Sequence, residues 1–364
     1  MKRLAATLRR LPALAAASLM LLSPLWPARS ATIEPLRMAG TITSSDWEAY
    51  RSRFVDDSGR VIDNANGNIS HSEGQGYGML LAFAAGDRRT FERIWTFTLA
   101  EFLIRDDGLA AWKWDPSAKP RISDSNNATD GDILIAYVLA KAGAAWKTPR
   151  YTTAAQKLAR AVGKSAVARS GGAVFLLPAA AGFGADDRPD GPVVNLSYWI
   201  FEAFPTLAAL APEYDWTGVG RTGLSLLQQA ASSRVGLPAD WISVRDRVQI
   251  HPAEGFPPEF GYNSLRIPLY LLRAGMTNVE WLRTLDQRWS ASNEGVAVVN
   301  VSTGRVRERL TDQGYATLAA VLACALDGKP IPAALRAFDP KLYYPSTLHL
   351  LSLSLMGEKY PQCL

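Results

Sequence analysis

Cysteine and histidine are both scarce in this chain of 364 residues, and their scarcity argues against several kinds of site. The two cysteines, Cys324 and Cys363, lie near the C-terminus and are too few for a disulfide framework. In an oxidising compartment they either pair with each other or stay free. The three histidines lie far apart, and none has metal-ligand spacing from a cysteine or an acid. The sequence therefore gives no reason to expect a metal or a redox cofactor.

The chain also lacks an apolar run long enough for a stable membrane span. The stretch "LPALAAASLMLL" follows the basic "MKRLAATLRR" and precedes "SPLWPARSA", which ends in small residues. This order is typical of a secretory signal peptide, with an uncleaved membrane anchor as the alternative. We therefore predict a signal peptide over residues 1–31, a single domain over residues 32–364, and a periplasmic or secreted location.

An excess of positive charge is missing once the predicted signal is set aside. The whole chain has a formal net charge of +5, and the first 31 residues carry five basic residues and no acid. The remaining domain is thus close to neutral and lacks the basic face that binds nucleic acid, so we exclude nucleic acid as a partner. Hydrophobic residues make up 48% of the chain, enough for a large globular core.

Helical periodicity dominates the predicted domain. The segment "DGDILIAYVLAKAGAAW" begins with acids and has Gly143 near its end, as a helix should. In "RRTFERIWTFTLAEFLIR", one apolar stripe predicts a buried helix face made of Phe91, Ile94, Trp95, Leu99, Phe102 and Leu103. Further predicted helices cover residues 151–164, 196–211, 218–232, 263–274, 278–290, 312–327, 331–338 and 346–356.

Strand signals are few by comparison. "GAVFLLP" is typical of a strand, and "GVAVVNVSTGRVRE" predicts a β-hairpin that turns at residues 302–304. No clear repeat of about 34 to 47 residues is present, which argues against a helical-repeat solenoid. About a dozen helices, several rich in alanine, therefore predict one all-α domain of paired helices with a minor β-hairpin.

The stretch "SHSEGQGYGM", residues 70–79, places Glu73 among glycines just before an apolar helical run. Charged side chains are usually solvated, so this setting is typical of a carboxyl group at the floor of a cleft. We expect Gly74 and Gly76 to clear space for the close approach of a ligand. The apolar run behind Glu73 is expected to favour its protonated form by partial desolvation.

Two further stretches carry candidate site residues. "DSNNATDGDILIAY" places Asp130 and Asp132 at a helix start, where free N–H groups favour carboxylates. Capping is the favoured interpretation for Asp132, although two acids are more than a cap requires. In "EFGYNSLRIPLYL", Arg266 follows Asn263 by about one helical turn, so both can face the same side. A solvated arginine is the alternative there.

The segments "SEGQGYGMLLAFAAGD", "ATDGDILIAYVLAKAGAAW", "NLSYW" and "GYNSLRIPLYLL" resemble, in this order, the motifs of glycoside hydrolase family 8. The resemblance covers residues 45–356. It implies an (α/α)6 barrel of paired inner and outer helices and inverting hydrolysis of β-1,4-glucan in a long cleft. Because the family includes endoglucanases of bacterial cellulose-synthesis operons, it also implies a functional association with the cellulose synthase machinery. We expect a monomer.

The resemblance assigns roles to individual residues. It makes Glu73 the proton donor and Asp130 the second catalytic carboxylate, beside the sugar next to the scissile bond. Flat aromatic rings stack on the C–H faces of sugars, although each such ring can instead belong to the core. The substrate-binding residues predicted in this way are Trp112, Tyr198, Asn263, Arg266 and Tyr343, with Trp114 and Tyr344 as further aromatic candidates.

One residue departs from the family pattern. Many cellulases of the family have an aspartate, as general base, where this chain has Asn263, and an amide cannot accept a proton at neutral pH. The candidate bases are Asp130, which we favour, Glu254 and Glu259. The alternative functions are a chitosanase, xylanase or mixed-linkage glucanase on the same fold, or a glucan-binding protein that has lost its base.

Overall fold

The computed structural model of the protein describes residues 38–245, 250–291 and 295–364. The predicted signal peptide, residues 1–31, lies outside the described residues. The described part contains 12 α-helices and 10 short β-strands, so the predicted all-α class is confirmed as a mostly helical fold. No helix in this part of the chain is long and apolar enough to cross a membrane.

The α-helices follow each other along the whole described chain. In chain order they are α1 (Ser44–Phe54), α2 (Ser72–Ala84), α3 (Arg88–Glu101), α4 (Thr129–Ala145), α5 (Pro149–Ala166), α6 (Phe204–Leu210), α7 (Trp216–Ala231), α8 (Ile267–Arg273), α9 (Glu280–Ala291), α10 (Gln313–Asp327), α11 (Ala333–Arg336) and α12 (Tyr343–Lys359). Short 3₁₀ helices cover Leu196–Tyr198, Phe201–Ala203, Ser264–Arg266 and Pro361–Cys363.

The β-strands are all short and form small antiparallel sheets. They are β1 (Ser70–His71), β2 (Lys113–Trp114), β3 (Val167–Ser170), β4 (Ala173–Leu176), β5 (Val193–Val194), β6 (Ile242–Ser243), β7 (His251–Pro252), β8 (Glu259–Phe260), β9 (Ala297–Asn300) and β10 (Val306–Arg309). Two sheets have two strands each, β1 paired with β2 and β3 paired with β4. The other two have three strands each, with β6 between β5 and β7 and with β9 between β8 and β10. The predicted hairpin at residues 302–304 is confirmed as β9–β10.

Burial separates the helices into two kinds. Every residue of α8 is buried, as is every residue of α4 from Thr129 to Gly143 and every residue of α2 except Glu73. By contrast, α3, α5, α7 and α9 bury one face only. A helix that is apolar all round belongs in the core, and an amphipathic helix covers it. The buried helices therefore form the centre of the fold, and the amphipathic ones shield it from solvent.

The predicted stripe on α3 is only partly correct. Phe91, Ile94 and Phe102 are fully buried, but Leu99 is 53% exposed. The place that the stripe gave to Leu99 is taken by Thr98, which is buried and donates its hydroxyl to the carbonyl of Ile94. The prediction left out Thr98 because threonine is polar. A threonine can nevertheless be buried when its hydroxyl is hydrogen-bonded to the helix backbone.

Two predicted helices are shorter than their sequence pattern. Over residues 196–211, only α6 is α-helical, and its first turn contains Pro205, which has no N–H to continue a preceding helix. Over residues 331–338, only α11 is helical, and it follows Pro332. Proline at these two positions therefore set the helix starts that the apolar periodicity missed.

The two cysteines form a disulfide bond. Cys324 lies in the last turns of α10 and Cys363 in the final 3₁₀ helix, with their Cα atoms 6.2 Å apart. The bond links residues 39 positions apart and encloses α11 and α12 in a covalent loop. The pairing that the sequence left open is thereby settled.

Candidate active site

Glu73 lies in the first turn of α2 at the edge of the buried core. The helix begins after His71, whose Nδ1 accepts a hydrogen bond of 2.9 Å from the Gly74 backbone N–H. The Glu73 side chain is 16% exposed, and its Oε1 lies 3.3 Å from Nη2 of Arg266. Free N–H groups at a helix start favour a negative charge. The carboxyl group is thus anchored by one cation and still reaches solvent.

Asp130 lies in the first turn of α4 and faces the same arginine. Its Oδ2 is 2.7 Å from Nη2 of Arg266, and its Oδ1 accepts a hydrogen bond from the Gly131 backbone. The side chain is only 2% exposed. Burial raises the pKa of Asp130 to about 7, the negative charge of Glu73 adds to the rise, and Arg266 opposes it. The buried Asp130 carboxyl group therefore holds a proton more readily than an ordinary aspartate does.

Arg266 ends the 3₁₀ helix that precedes α8, and it bridges the two acids with a single nitrogen atom. Because Nη2 contacts both carboxyl groups, the two oxygens that face it, Oε1 of Glu73 and Oδ2 of Asp130, lie at most about 6 Å apart. The other terminal nitrogen, Nη1, donates to the hydroxyl of Tyr344 at 3.4 Å. The guanidinium group therefore has an acidic side and an aromatic side.

Glycines bring the acids together by allowing the helices to touch. A Cβ atom on Gly131 would lie 2.2 Å from Oγ of Ser72 and 2.6 Å from the backbone nitrogen of Glu73. A Cβ atom on Gly76 would lie 2.6 Å from Cβ of Leu134. The expectation that Gly76 clears space for a ligand is thus wrong, because it clears space for α4. Gly131 is the glycine that places Asp130 beside Glu73.

Gly74 has a similar structural role. A Cβ atom there would lie 3.1 Å from the hydroxyl of Tyr343 and 3.1 Å from the ring of His71. The space beside Gly74 is therefore occupied by two aromatic side chains of the protein, and the ligand-clearing role expected for this glycine is also wrong.

Asp132 does not cap α4. Its Oδ1 accepts the backbone N–H of Ala110 at 2.8 Å, and its Oδ2 accepts the side-chain amide of Asn127 at 2.9 Å. Burial raises the pKa of this carboxyl group to about 7, and the two hydrogen bonds oppose the rise. The favoured capping interpretation is thus wrong. Asp132 instead binds two loop residues, Ala110 and Asn127, to the start of α4.

His71 is a site residue that the sequence reasoning quoted but did not assign. Its Nε2 lies 3.6 Å from Asp63, and its Nδ1 lies 3.9 Å from Glu73. Burial lowers the pKa of His71, but the neighbouring carboxylates of Asp63 and Glu73 outweigh it, so the net pKa is raised. Because Nδ1 accepts the Gly74 N–H, the proton of the neutral ring is on Nε2, towards Asp63. His71 therefore links Glu73 to a further acid.

Two buried tyrosines were also missed. Tyr77 lies one helical turn after Glu73, and Tyr270 lies one turn after Arg266, and their hydroxyls are hydrogen-bonded to each other. Both are 1% exposed. The pair connects α2 to α8 beneath the site, and the spacing of four residues from Glu73 and from Arg266 was the signal that could have revealed it.

Trp112 and Tyr198 keep partly exposed rings. The indole N–H of Trp112 donates to Asp124 at 2.8 Å, which fixes the ring in its loop. The ring of Tyr198 lies 5.9 Å from the guanidinium carbon of Arg266. Tyr198 is thus beside the acid cluster, and both rings remain candidates for stacking on a sugar.

Tyr343 and Trp114 do not fit that role. Tyr343 is 1% exposed, and its ring packs edge-on against Phe54 and His71. Trp114 is buried between the guanidinium groups of Arg60 and Arg121. A ring with no free face cannot stack on a sugar, so the substrate-binding prediction for Tyr343 is wrong, and Trp114 belongs to the core.

Asn263 and Arg266 point in different directions, contrary to expectation. The side-chain amide of Asn263 donates to Oδ2 of Asp240 at 3.4 Å, whereas Arg266 reaches the acids. Of the candidate bases near Asn263 in sequence, Glu254 is exposed at the surface, and Glu259 in β8 forms an ion pair with Arg307. The structure gives neither glutamate a contact with Glu73, Asp130 or Arg266 among the described residues.

Several buried polar atoms near the acids have no hydrogen-bond partner among the described residues. They are Oγ of Ser72, Oγ of Ser264 and Nε of Arg266, and Oε1 of Glu73 has its ion pair with Arg266 but no hydrogen bond. Buried polar atoms are nearly always hydrogen-bonded in folded proteins. A cluster of unpartnered ones is therefore typical of a site that binds a polar ligand. Within the described ranges, no group of three or more His, Cys, Asp or Glu residues is arranged to hold a metal ion.

Comparison with known sequences places these motifs in a family. Residues 21–358 match the family described as glycosyl hydrolases family 8. A probable endoglucanase of Novacetimonas hansenii is 32% identical over 311 residues, which cover 85% of this chain and 89% of that protein. An endoglucanase of Cellulomonas uda is 38% identical over 225 residues, 62% of each chain, so the match spans less than two thirds of that relative.

Solved structures give the same picture. The endo-β-1,4-glucanase CMCax of Acetobacter xylinum superposes with a TM-score of 0.78 at 31% identity, covering 88% of this chain and 99% of that one. Endoglucanase Cel10 of Klebsiella pneumoniae, a family 8 glycosyl hydrolase, has a TM-score of 0.78 at 32% identity and covers 87% of this chain and all of that one. The similarity therefore extends over most of the described fold.

Proposed function

The chain belongs to glycoside hydrolase family 8, and from that premise we propose that it is an endo-acting β-1,4-glucanase that hydrolyses cellulose chains with inversion of configuration. The observation that carries the proposal is the cluster in which one buried guanidinium contacts both Glu73 and Asp130 while Glu73 alone reaches solvent. Glycoside hydrolysis needs a carboxyl group that can protonate a leaving oxygen at such an edge. The relatives named above are themselves called endoglucanases.

Glu73 is the proton donor in this proposal. As the bond between the anomeric carbon and the leaving oxygen breaks, the Glu73 carboxyl group passes its proton to that oxygen, and a water molecule attacks from the opposite face. Two carboxylates that share one guanidinium repel each other when both are ionised, so the cluster favours a state in which one of them holds a proton. Arg266 limits this effect and fixes both side chains in place.

Asp130 supports the reaction from beside the donor. Its Oδ2 contacts the same nitrogen of Arg266 as Glu73 does, so Asp130 holds the guanidinium in a fixed position beside the donor. Trp112 and Tyr198, with their partly exposed rings, are the proposed stacking surfaces for glucosyl units, and the charge of Arg266 beside Tyr198 orients hydroxyl groups there.

We propose an (α/α)6 barrel for the arrangement of the helices. Fully buried helices such as α2, α4 and α8 alternate along the chain with amphipathic ones such as α3, α5 and α9, as a barrel of inner and outer helices requires. The acids lie at the N-terminal ends of α2 and α4, so they share one end of the proposed barrel.

We propose that the protein is exported by a signal peptide over residues 1–31 and acts in the periplasm or outside the cell as a single domain over residues 32–364. The basic–apolar–small order of the first residues supports export, and so does the Cys324–Cys363 bond, because disulfides persist in oxidising compartments. Family membership supports a role beside the cellulose synthase machinery, and we propose that the enzyme works as a monomer.

One experiment tests the activity and its class. Purified protein is incubated with carboxymethylcellulose, xylan, chitosan and mixed-linkage glucan, and chain length and reducing ends are followed. We expect a rapid fall in the viscosity of carboxymethylcellulose, typical of endo cleavage, that a Glu73→Gln variant does not produce. Faster release from chitosan, xylan or mixed-linkage glucan would establish one of those activities instead. Binding without any cleavage would establish a glucan-binding protein.

The stereochemistry is tested separately. Proton NMR of the first cello-oligosaccharide products, recorded before mutarotation, should show the α-anomer at the new reducing end. A β-anomer would mean retention, which needs a nucleophile about 5–5.5 Å from the donor instead of a water between two carboxylates.

A further inference from the structure

The proposed inverting reaction requires a carboxylate that takes a proton from water, and Asp130 is badly placed to do this. Its Oδ2 and the Oε1 of Glu73 both contact one nitrogen of Arg266, so the guanidinium lies where a water held between these two oxygens would have to be. Asp130 is also 2% exposed, and both of its oxygens already have partners. The expectation that Asp130 serves as the base therefore does not fit the structure.

We infer that Asp240, a residue outside the family-like motifs, is the general base of this enzyme. Its two carboxylate oxygens have different surroundings. Oδ1 accepts the backbone N–H groups of Gly261 and Ser264, both at 2.9 Å. Among the described residues, Oδ2 has two long hydrogen-bond contacts, of 3.4 Å each, from the backbone and side-chain nitrogens of Asn263. One oxygen thus anchors the carboxylate, and the other keeps the capacity to accept a proton.

The position of Asp240 relative to Arg266 supports this role. Nη2 of Arg266 faces Glu73 and Asp130, whereas Nη1 faces Tyr344, whose hydroxyl donates to the backbone carbonyl of Tyr262 at 2.6 Å. The turn that holds Asp240 therefore lies on the aromatic side of the guanidinium. A chain of contacts thus connects Glu73, through Nη2 and Nη1 of Arg266 and the hydroxyl of Tyr344, to the turn whose Asn263 contacts Asp240.

The electrostatics of Tyr344 agree with this placement. Burial raises the pKa of Tyr344 to about 12, Arg266 opposes the rise, and the negative charges of Glu73 and Asp240 add to it. The Asp240 carboxylate is therefore within electrostatic reach of a hydroxyl that is bonded directly to Arg266. It is also half-buried and not sealed in the core.

The chemistry balances with these two carboxyl groups. The water oxygen forms a bond to the anomeric carbon while the bond from that carbon to the leaving oxygen breaks. Glu73 gives its proton to the leaving oxygen, and Oδ2 of Asp240 takes one proton from the water. The pair starts with one proton on Glu73 and ends with one proton on Asp240, and exchange with solvent restores the first state. Asn263 is then a positioning residue, because its amide holds Oδ2 in place.

The decisive variant is Asp240→Asn, since an amide oxygen still accepts the Gly261 and Ser264 N–H groups but cannot take a proton. We expect kcat on a soluble glucan to fall by about 10²–10⁴-fold, with KM little changed and the helical circular dichroism retained. Sodium azide should restore turnover and yield the α-glycosyl azide, because the azide anion attacks without losing a proton. An Asp130→Asn variant is the matched control and should not respond to azide.

A second variant tests whether the turn needs a carboxylate. In the Asp240→Asn background, Asn263→Asp returns a carboxylate to the same turn and should recover activity. In the wild type, Asn263→Asp should shift the acid limb of the pH profile upwards, because two adjacent carboxylates repel.

The outcomes separate this inference from the proposed function on which it rests. A wild-type protein that cleaves no glucan contradicts the proposed function. A wild type that cleaves glucan, together with an Asp240→Asn variant within about tenfold of its kcat, contradicts the role of Asp240 alone. The same conclusion follows if kcat is lost in a folded variant that neither azide nor Asn263→Asp restores. A rise of orders of magnitude for Asn263→Asp in the wild type would likewise show that Asp240 is not the base.

Discussion

The two ends of α8 each carry a buried arginine, and they use it differently. Arg266 precedes the helix at its N-terminal end, and Arg273 is its last residue. Arg273 donates from Nε to Glu202 at 2.5 Å, and the second oxygen of Glu202 accepts the hydroxyl of Tyr137 at 3.2 Å. Both oxygens of Glu202 are therefore bonded.

At the N-terminal end of α8, Arg266 is in a less favourable electrostatic environment. Arg266 shares a single nitrogen between Glu73 and Asp130, and it lies at a helix N-terminus, where the dipole disfavours a cation. Arg273 lies at the C-terminus, where the dipole favours one. Each arginine has one buried nitrogen without a partner among the described residues, and the hydroxyl of Ser264, two residues before Arg266, also has none. We conclude that one nitrogen shared between two acids distinguishes the cluster at Arg266 from the ion pair at Arg273.

The largest expected effect comes from removing the donor at the Arg266 end. Glu73→Gln keeps the size of the side chain but has no proton to give, so hydrolysis of an unactivated glucan should fall by about 10²–10⁴-fold. Oligosaccharide binding and the thermal unfolding temperature should change little. Initial rates and calorimetry on one preparation measure both, and a rate near that of the wild type would remove Glu73 from the mechanism.

The opposite result is expected at the Arg273 end. Arg273→Met leaves Glu202, which is 6% exposed, as an uncompensated buried charge and should lower the free energy of unfolding by about 3–5 kcal/mol. The kcat of the folded fraction should be unchanged. The matched control is Arg273→Met with Glu202→Leu, which removes both charges and should recover much of the loss in denaturant unfolding. If Arg273→Met lowered kcat and left the stability unchanged, the contrast between a catalytic arginine and a structural arginine would be wrong.

The third expectation concerns pH. The folded pKa of Asp132, about 7, is above its ordinary value, so the folded state binds more protons than the unfolded state between about pH 4 and 7. The stability contributed by this group is complete below the unfolded pKa and decreases as the pH rises through that window. Replacement by asparagine should therefore stabilise the protein relative to wild type increasingly from pH 4 to 7, as measured by urea unfolding.

A control of opposite sign is available for that measurement. Burial raises the pKa of Asp87, but hydrogen bonds from Thr90 and Trp47 outweigh it and hold the pKa below its ordinary value. Asp87→Asn should therefore lose stability relative to wild type as the pH rises towards 4, and the loss should stay constant above that. Identical pH trends in the two variants would contradict both assignments.

The smallest effects should come from single hydroxyl groups. Tyr137→Phe removes the donor to Glu202 and should cost about 1–2 kcal/mol of unfolding free energy. Ser264→Ala, beside Arg266, removes a hydroxyl oxygen that has no partner among the described residues, so stability should stay within about 0.5 kcal/mol. Equal losses in the two variants would mean that the polar atoms at the two ends are equally well satisfied.

The sequence predicted the parts of this site that lie in local motifs. Glu73, Asp130 and Arg266 each occur in a short, distinctive stretch, and the long apolar helices around them follow from periodicity. Asp240 was missed because it is 23 residues from Asn263 in sequence, and only the fold brings their side chains together. No helical or alternating pattern surrounds it. The two-residue strands β5, β6 and β7 are also too short to show an alternating pattern.

The stacking prediction for Tyr343 failed for a different reason. Tyr343 and Tyr344 are neighbours in the first turn of α12, and successive side chains on a helix point about 100° apart. The fold turns Tyr343 into the core and Tyr344 towards Arg266. Both residues are tyrosines, so only packing against Phe54 and His71 decides which of the two rings is buried. Residue type alone cannot supply that information.

The Cys324–Cys363 bond gives the C-terminal region an unusual response to mechanical load. A pulling force applied to Leu364 would pass through the bond into α10 and bypass α12, which lies inside the covalent loop. Tyr344, at the start of α12, would therefore keep its place beside Arg266 until α10 itself yielded. An enzyme tethered to a surface by its C-terminus should accordingly stay active under tension, and should lose activity at a much lower force once the bond is reduced.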